Sequence, residues 1–220
     1  MRSIKKNHQI TKSPNQSSNH QIIKLNNMIA IIKYNAGNIS SVQNALNRMN
    51  YESIVTDDIA AIMNADKVIF PGVGEASSAM KYLRERGLDE VIKSIEKPML
   101  GICLGLQLMC NYSEEGKTEC LGIFDTDVKQ FPPKDKVPHM GWNNFSIIEG
   151  ELFDGINSDL NVYYVHGYYA ELCNQTIATT DYILPFSSVM QKDNFYATQF
   201  HPEKSAQVGE RILYNFLQLK

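Results

Sequence analysis

A cysteine with a glycine two residues away on either side, in Gly101-Ile102-Cys103-Leu104-Gly105, leaves few folds open to this chain of 220 residues. Glycines at these positions let the backbone turn sharply from a strand into a helix. The thiol of Cys103 then lies at the tip of the turn, as the nucleophile does in the Gly-x-nucleophile-x-Gly elbow of serine hydrolases. The segment therefore predicts a strand-turn-helix unit that presents a cysteine nucleophile.

A second segment, His201-Pro202-Glu203, supplies the partners that such a nucleophile needs. Pro202 biases His201 toward an extended conformation, and residues two apart on an extended segment face the same way. Glu203 can then orient the imidazole, while His201 acts as general base toward Cys103. A helix N-terminus behind Cys103 also favours the thiolate. Alone, the triplet would fit a strand-ending turn; together with the cysteine elbow it predicts a Cys-His-Glu catalytic triad.

The first half of the chain alternates short apolar runs with helical patterns. The runs predict buried parallel strands, and the 3.6-residue periodicity predicts the helices between them. The predicted strands are 28–33, 52–56, 67–70 and 98–102, and Pro71-Gly72 ends the third of them. The first predicted helix has Asn38 or Ser40 as its cap. The other predicted helices cover 59–63, 77–85, a segment after Gly87, and 104–112. Short links between them indicate a mostly parallel, doubly wound α/β sheet.

The second half reads as an additional antiparallel β-rich part. Its predicted strands are 122–130, 142–148, 162–169, 176–182, 187–191 and 195–200, followed by an amphipathic helix near 206–219. Cys103 and His201 lie in different halves, so both halves contribute to one site. We therefore expect one domain over residues 28–220.

Residues 1–27 differ in composition from the rest, with five basic residues, no acidic residue and little to bury. This composition predicts a disordered N-terminal tail, because burial of so few apolar residues cannot offset the entropy lost when the chain is ordered. We expect the tail to lie upstream of the true start, with Met28 opening the first strand; an organelle transit peptide is the alternative, and a secretory h-region is missing. Five scattered charges are weak grounds for nucleic-acid binding.

Cysteine spacing and hydropathy exclude other classes of protein. Cys103, Cys110, Cys120 and Cys173 have no CxxC pair or other zinc-like spacing, so no metal site is predicted. No organic cofactor is suggested by the sequence either. No apolar run approaches the length of a membrane span, which predicts no contact with a membrane. A thiolate nucleophile must stay reduced, which favours the cytoplasm.

Two loops could complete an acyl-transfer site. The backbone N–H of Leu104 directly follows the nucleophile and is a natural oxyanion donor. The glycines of Pro71-Gly72-Val73-Gly74 end a neighbouring strand and could bring a second N–H, or could cradle phosphate, although the lysine of a P-loop is missing. Gln107 lies one helical turn beyond Cys103 and either binds a polar substrate or lies on the helix surface.

These segments resemble the class I glutamine amidotransferases: Gly101–Gln107 is similar to their nucleophile elbow and Gln199–Ser205 to their His/Glu motif. Further segments resemble the glutaminase subunits of imidazole glycerol phosphate synthase, over the whole chain from Met28. They are Tyr34-Asn35-Ala36-Gly37-Asn38, Pro71-Gly72-Val73-Gly74, Ala79-Met80, His139-Met140-Gly141-Trp142-Asn143 and Tyr163-Tyr164-Val165-His166-Gly167-Tyr168-Tyr169.

The resemblance implies a role for each matching residue. Cys103, His201 and Glu203 would form the triad, and Val73 and Gly74 the oxyanion strand beside the Leu104 amide. Glutamine would be bound by Gln107, Glu115 and the backbone of Gly167 and Tyr168; from the sequence alone, Glu115 would be a solvated surface residue. Asn38 and Trp142 would contact a (β/α)₈-barrel cyclase subunit in a heterodimer, although Trp142 alone would be assigned to the core.

The reaction that the resemblance implies is hydrolysis of glutamine through a Cys103 thioester, with ammonia passed to the cyclase for synthesis of imidazole glycerol phosphate and aminoimidazole carboxamide ribotide in histidine biosynthesis. Lys33, Asn35 and Gly167 depart from the usual Asp, Gly and Ser of that family. The alternatives are a glutaminase subunit serving chorismate or pyridoxal phosphate chemistry, a non-catalytic amidotransferase-like binding module, and a cysteine peptidase.

Overall fold

A computed structural model describes residues 28–34 and 37–220 of the chain. The predicted N-terminal tail, residues 1–27, lies outside the described residues, as do Asn35 and Ala36 of the Tyr34–Asn38 segment. No helix within the described ranges has both the length and the apolar character that crossing a membrane requires.

Strands and helices alternate through the first half of the chain. Their bounds are β1 (Ile29–Ile32), α1 (Ile39–Arg48), β2 (Ser53–Thr56), α2 (Ile59–Asn64), β3 (Lys67–Gly72), α3 (Ala76–Glu85), α4 (Leu88–Lys93), β4 (Met99–Cys103) and α5 (Leu104–Met109). The second half is mostly strands. Their bounds are β5 (Tyr112–Ser113), β6 (Thr118–Glu119), β7 (Asp127–Gln130), β8 (His139–Asn143), β9 (Ile147–Ile148), β10 (Val162–His166), β11 (Tyr168–Ala170), β12 (Thr176–Tyr182), β13 (Leu184–Lys192) and β14 (Phe195–Thr198), before α6 (Ala206–Gln218).

The main sheet has eight strands in the order β2-β1-β3-β4-β14-β13-β12-β9. The first five strands are parallel to one another, and the remaining pairs are antiparallel. Two small sheets lie beside it, β10-β8 and β11-β7-β5-β6. The predicted fold class, a mostly parallel doubly wound sheet with an antiparallel β-rich part, is therefore confirmed.

The core lies on both faces of the main sheet. Along β1, Ala30 and Ile32 pack into one cluster with residues of α3, α4 and α5. Ile29 and Ile31 alternate with them and pack into a second cluster with residues of α1 and α6. Because both faces are covered, β1 is apolar at every position, and this explains why a continuous apolar run predicted a parallel strand.

Several predicted boundaries are wrong. The predicted strand 122–130 begins only at Asp127, as β7. β3 continues through Pro71 and Gly72, which still pair with β4 although the pairing of β3 with β1 ends at Ile69. The helix after Cys103 ends at Met109, and Tyr112 begins strand β5. Each of the predicted strands 142–148 and 162–169 is two strands, in different sheets.

Candidate active site

The chain turns sharply at Cys103, where β4 ends and α5 begins. Cys103 has φ 55° and ψ −105°, a conformation that residues other than glycine rarely adopt. A Cβ atom on Gly105 would lie 1.9 Å from the carbonyl oxygen of Phe70, and one on Gly101 would lie 2.6 Å from the sulfur of Met109. Gly105 is therefore needed for α5 to pack against β3, and Gly101 for α5 to fold back closely on the end of β4.

His201 lies at the same edge of the sheet because β14 runs parallel to β4, with Thr198 paired to Ile102. The His201 side chain is fully buried, and its Nδ1 donates to Oε1 of Glu203 at 2.8 Å. Nδ1 therefore carries the proton when the ring is neutral, and Nε2 is the free nitrogen. Within the described part of the chain, no nitrogen or oxygen atom hydrogen-bonds to Nε2, and the Cys103 sulfur is the group beside it, so Nε2 is available for proton transfer with that thiol.

Opposing effects act on the His201 imidazole. Burial lowers the pKa of His201, but the negative charge of Cys103, a hydrogen bond with its sulfur, and Glu203 together raise it to about 10. The charged imidazolium is thus stabilised beside the thiolate. This is the electrostatic arrangement of an activated cysteine nucleophile.

Asn38 contacts the same pair of residues from the start of α1. Its Nδ2 donates to Oε1 of Glu203 and lies 3.3 Å from Nδ1 of His201. Asn38, one of the two predicted caps, is the N-cap residue of α1, but it has φ 71° and its side chain makes no hydrogen bond to the helix. The amide is directed to Glu203 instead; contact of Asn38 with a partner stays a prediction.

A cavity of about 140 Å³ opens in front of Cys103. This is smaller than the pockets of drug-sized ligands, so it admits only a small molecule. The predicted site residues that line it are Val73, Gly74, Cys103, Leu104, Gln107, Glu115, Gly167 and Tyr168. A larger open cavity of about 710 Å³ along α6 contains no cysteine, serine, threonine or histidine, so the smaller cavity is the site.

A chain of buried amides leads from Gln107, in the lining of this cavity, to Cys103. Nε2 of Gln107 donates to the carbonyl oxygen of Tyr168 and to Oε1 of Gln199, both at 3.0 Å. Nε2 of Gln199 in turn lies 3.8 Å from the Cys103 sulfur and donates to it. The sequence reasoning did not single out Gln199, although it lies two residues before His201 on an extended segment, a spacing that places two side chains on one face.

Glu115 is half-buried rather than solvated. Its Oε2 accepts the backbone N–H of Ala76 at 2.9 Å, at the N-terminus of α3. Burial raises the pKa of Glu115, that hydrogen bond lowers it, and Glu75 raises it further, so that the pKa is raised overall. A carboxylate thus lies in the lining of the cavity, where it could bind an ammonium group.

The loop that contains the predicted oxyanion residues Val73 and Gly74, here called the oxyanion loop, lies directly beside the nucleophile. It does so because Gly72 pairs with Cys103 across β3 and β4. Gly74 has φ 127°, which glycine alone adopts readily, and the carbonyl of Val73 accepts the N–H of Gly37 at 3.4 Å. The N–H of Leu104 lies in the first turn of α5 and has no acceptor within the helix.

Tyr34 was also missed, and it packs under this loop. A Cβ atom on Gly72 would lie 1.8 Å from its hydroxyl. The hydroxyl is buried with no hydrogen-bond partner among residues 28–34 and 37–220, and burial, with the charge of Cys103, raises the pKa of Tyr34. Gly72 is therefore required by close packing under the oxyanion loop.

Trp142, on β8, does not line the cavity. Its exposed fraction is 55%, and its ring contacts that of Tyr163 on β10 edge-on at 5.9 Å. Met140 on the same strand is 58% exposed. Trp142 is thus not a core residue. The described residues contain no cluster of three or more side chains suited to hold a metal ion.

Comparison with known proteins places this site in a family. The model of the family "Glutamine amidotransferase class-I" matches residues 12–219. The imidazole glycerol phosphate synthase subunit HisH of Bacteroides fragilis is 59% identical over 194 residues, which cover 87% of this chain and 99% of the relative. The subunits of the same name from Bacteroides thetaiotaomicron and Vibrio cholerae are 56% and 44% identical, over 99% and 98% of their lengths and 87% of this chain.

Solved structures share the fold at low sequence identity. A chain of PurLQS from Thermotoga maritima superposes with a TM-score of 0.64 at 13% identity, covering 88% of this chain and 98% of that one. A glutamine amidotransferase from the same organism gives 0.62 at 17% identity, covering 87% and 82%. The chain belongs to the class I glutamine amidotransferase family and, within it, to the family of HisH subunits.

Proposed function

We propose that the chain is the glutaminase subunit of an imidazole glycerol phosphate synthase, acting in histidine biosynthesis. In this proposal it hydrolyses glutamine and passes the ammonia to a cyclase subunit, which uses it to form imidazole glycerol phosphate and aminoimidazole carboxamide ribotide. The observation that carries the proposal is the arrangement of Cys103 and the His201–Glu203 pair at a small polar cavity. The relatives named HisH support the pathway.

The proposed reaction begins when the Cys103 thiolate attacks the side-chain amide carbon of glutamine. The carbonyl oxygen becomes an oxyanion, which the amides of Gly74 and Leu104 would stabilise beside Val73. His201 gives its Nε2 proton to the departing nitrogen, so ammonia leaves and a thioester remains. His201 then takes a proton from water, the hydroxide attacks the thioester, and glutamate leaves as the thiolate re-forms.

The remaining cavity residues have matching roles in this proposal. Gln107 has both amide protons engaged, which leaves its Oε1 free for the α-amino group of glutamine. The carboxylate of Glu115 would bind the same ammonium group, and the backbone of Gly167 and Tyr168 would bind the other end of the substrate. We assign residues 28–220 to a single glutamine amidotransferase domain. Because the thiolate must stay reduced, we place the protein in the cytoplasm.

The proposal is tested by measuring glutamate release from glutamine, with and without the cyclase subunit and its nucleotide substrate. Cys103→Ala should lower the rate by about 1,000-fold or more, because no covalent path remains. Cys173→Ala, a half-buried cysteine away from the cavity, should leave it unchanged. Strong stimulation by the loaded cyclase is expected; activity that ignores the cyclase would point to another amidotransferase pathway.

A further inference from the structure

We propose that Gln199 is a further catalytic residue, whose side-chain amide donates a hydrogen bond to the Cys103 sulfur and stabilises the thiolate. Its role in glutamine hydrolysis rests on the proposed function, but its action on the thiol does not. Gln199 is fully buried, and its Nε2 lies 3.8 Å from the sulfur. A hydrogen bond to an ionised acceptor is stronger than one to a neutral acceptor, so this contact favours the thiolate over the thiol.

The direction of the Gln199 amide follows from its neighbours. The carbonyl oxygen of Tyr168 can only accept, so the Gln107 atom that faces it must be the NH₂ group. The same nitrogen faces the side chain of Gln199, so the atom that it meets must be Oε1. The NH₂ group of Gln199 is therefore the group directed at Cys103, and the reverse orientation would bring two donors together.

The Tyr168 carbonyl that fixes Gln107 is itself held by a pair of buried histidines. It accepts from Nδ1 of His166 at 2.7 Å, so Nε2 of His166 is an acceptor and takes the proton of His139 Nδ1 at 3.0 Å. Burial lowers the pKa of His166 to about 3 and that of His139 to about 4, so both rings are neutral at pH 7. The donor that faces Cys103 is thus pre-oriented before any substrate binds.

This contact acts on both halves of the reaction. Before attack, it stabilises the negative charge on sulfur. During attack the sulfur electron pair forms the bond to the amide carbon, so the charge moves to the oxygen and the contact weakens. When the second tetrahedral intermediate collapses, the carbon–sulfur bond breaks and its electron pair returns to sulfur, where Gln199 again stabilises it. No proton moves to or from Gln199.

The test is the rate at which iodoacetamide alkylates Cys103 between pH 5 and 9, followed by mass spectrometry of the peptide that contains it. Gln199→Met keeps the length of the side chain and removes the donor. Gln199→Glu keeps an oxygen for Gln107 and places a carboxylate near the sulfur. Gln191→Met is the matched control, because Gln191 donates to the hydroxyl of Tyr196 at 3.1 Å, away from the cavity.

We expect Gln199→Met to slow alkylation at pH 6 by about 10-fold, and Gln199→Glu to slow it further, because a carboxylate repels the thiolate. Gln191→Met should match the unaltered chain. A Gln199→Glu variant that keeps its circular dichroism spectrum and alkylates within about twofold of the unaltered chain would overturn the inference.

A measurement without substitution of Gln199 covers the case in which both variants misfold. The side-chain amide resonances of Gln199, followed by NMR, should shift as the thiolate forms with rising pH, and should not shift in Cys103→Ala; equal behaviour of the two chains would refute the contact.

Glutamine hydrolysis is assayed separately. If the chain releases no glutamate while Gln199→Met still slows alkylation, the proposed function fails and the inference stands. If glutamate is released and alkylation does not change, only the inference fails.

Discussion

Glu203 accepts two hydrogen bonds through one oxygen, from Nδ1 of His201 and from Nδ2 of Asn38. Its other oxygen has no partner within the described ranges. The Asn38 amide therefore helps to decide how the carboxylate is turned toward the imidazole. We expect Asn38→Gly to lower kcat/KM for glutamine by about 10-fold, since a donor to a charged acceptor is lost. The KM should change little, because Asn38 does not line the cavity.

Glycine is the appropriate replacement because Asn38 has φ 71°, which glycine adopts without strain. Asn38→Asp tolerates the same backbone but adds a negative charge beside His201, and should move the pH profile of kcat/KM toward higher pH. A merely structural role would leave that profile in place. If both variants fold and keep the unaltered rate and profile, Asn38 does not position Glu203.

The triad could be found from the sequence because two short motifs carry it. Gln199 and Asn38 could not be assigned in the same way, since the direction of an amide depends on what faces it. The Gln199 amide is oriented by Gln107, which is in turn oriented by the carbonyl of Tyr168. The Asn38 amide is oriented by the carboxylate of Glu203, far along the chain. The spacing of Gln199 from His201 places both side chains on one face, but it does not determine which end of the amide meets the Cys103 sulfur.

At the scale of elements, the elbow depends on the close packing of α5 against β3. We expect Gly105→Ala to reduce the free energy of unfolding by about 3 kcal/mol, because its Cβ would lie 1.9 Å from a backbone oxygen that cannot move alone. Urea denaturation measures the change. Gly167→Ala is the control: the nearest atom to its Cβ is 3.9 Å away, so it should change the free energy little. Equal destabilisation by both would contradict this account.

The paired strands β8 and β10 should respond to acid through His166. Its pKa is about 3 in the folded chain, lowered first by burial, against 6.5 when unfolded. The unfolded chain thus binds more protons between these values, and stability falls as the pH drops through that window. From pH 7 to pH 4.5 this one group costs about 2.5 kcal/mol, an order-of-magnitude value. His166→Gln should lose less stability over the same interval.

Phe186→Leu provides the comparison for His166, since the two rings are 5.2 Å apart and phenylalanine does not titrate. Its free energy of unfolding should be reduced by a similar amount at both pH values. Urea denaturation at pH 7 and 4.5 gives the required differences. The histidine account would be refuted by an acid-induced loss of the same size in His166→Gln and the unaltered chain.

The elements of the first half were easier to predict than those of the second half. A strand buried on both faces is an apolar run, as β1 is, and needs no knowledge of its neighbours. β5, β6 and β9 contain two residues each, too few for a periodicity. The end of β3 depends on where its neighbour stops, which is a property of the sheet rather than of the segment.

At the scale of the whole molecule, the site exists because β14 inserts beside β4 in the main sheet. The chain reaches β14 only after the strands of the second half, so the Cys103 and His201 ends meet at one edge although they are far apart in sequence. The motifs indicated that the two residues act together; the parallel register of Thr198 with Ile102 is what brings them together.

The exposed surface of β8 carries the last prediction, which concerns assembly. Trp142 and Met140 are both more than half exposed, on the two-stranded sheet whose other strand, β10, reaches the cavity at Val165 and His166. Large exposed aromatic side chains contribute strongly when a partner covers them. We expect Trp142→Ala to weaken binding of the cyclase subunit by about tenfold or more, measured by titration calorimetry, with little change in Tm. Ile147→Ala, 54% exposed on β9, should leave binding unchanged. Equal effects of the two substitutions would show that the cyclase does not dock on β8.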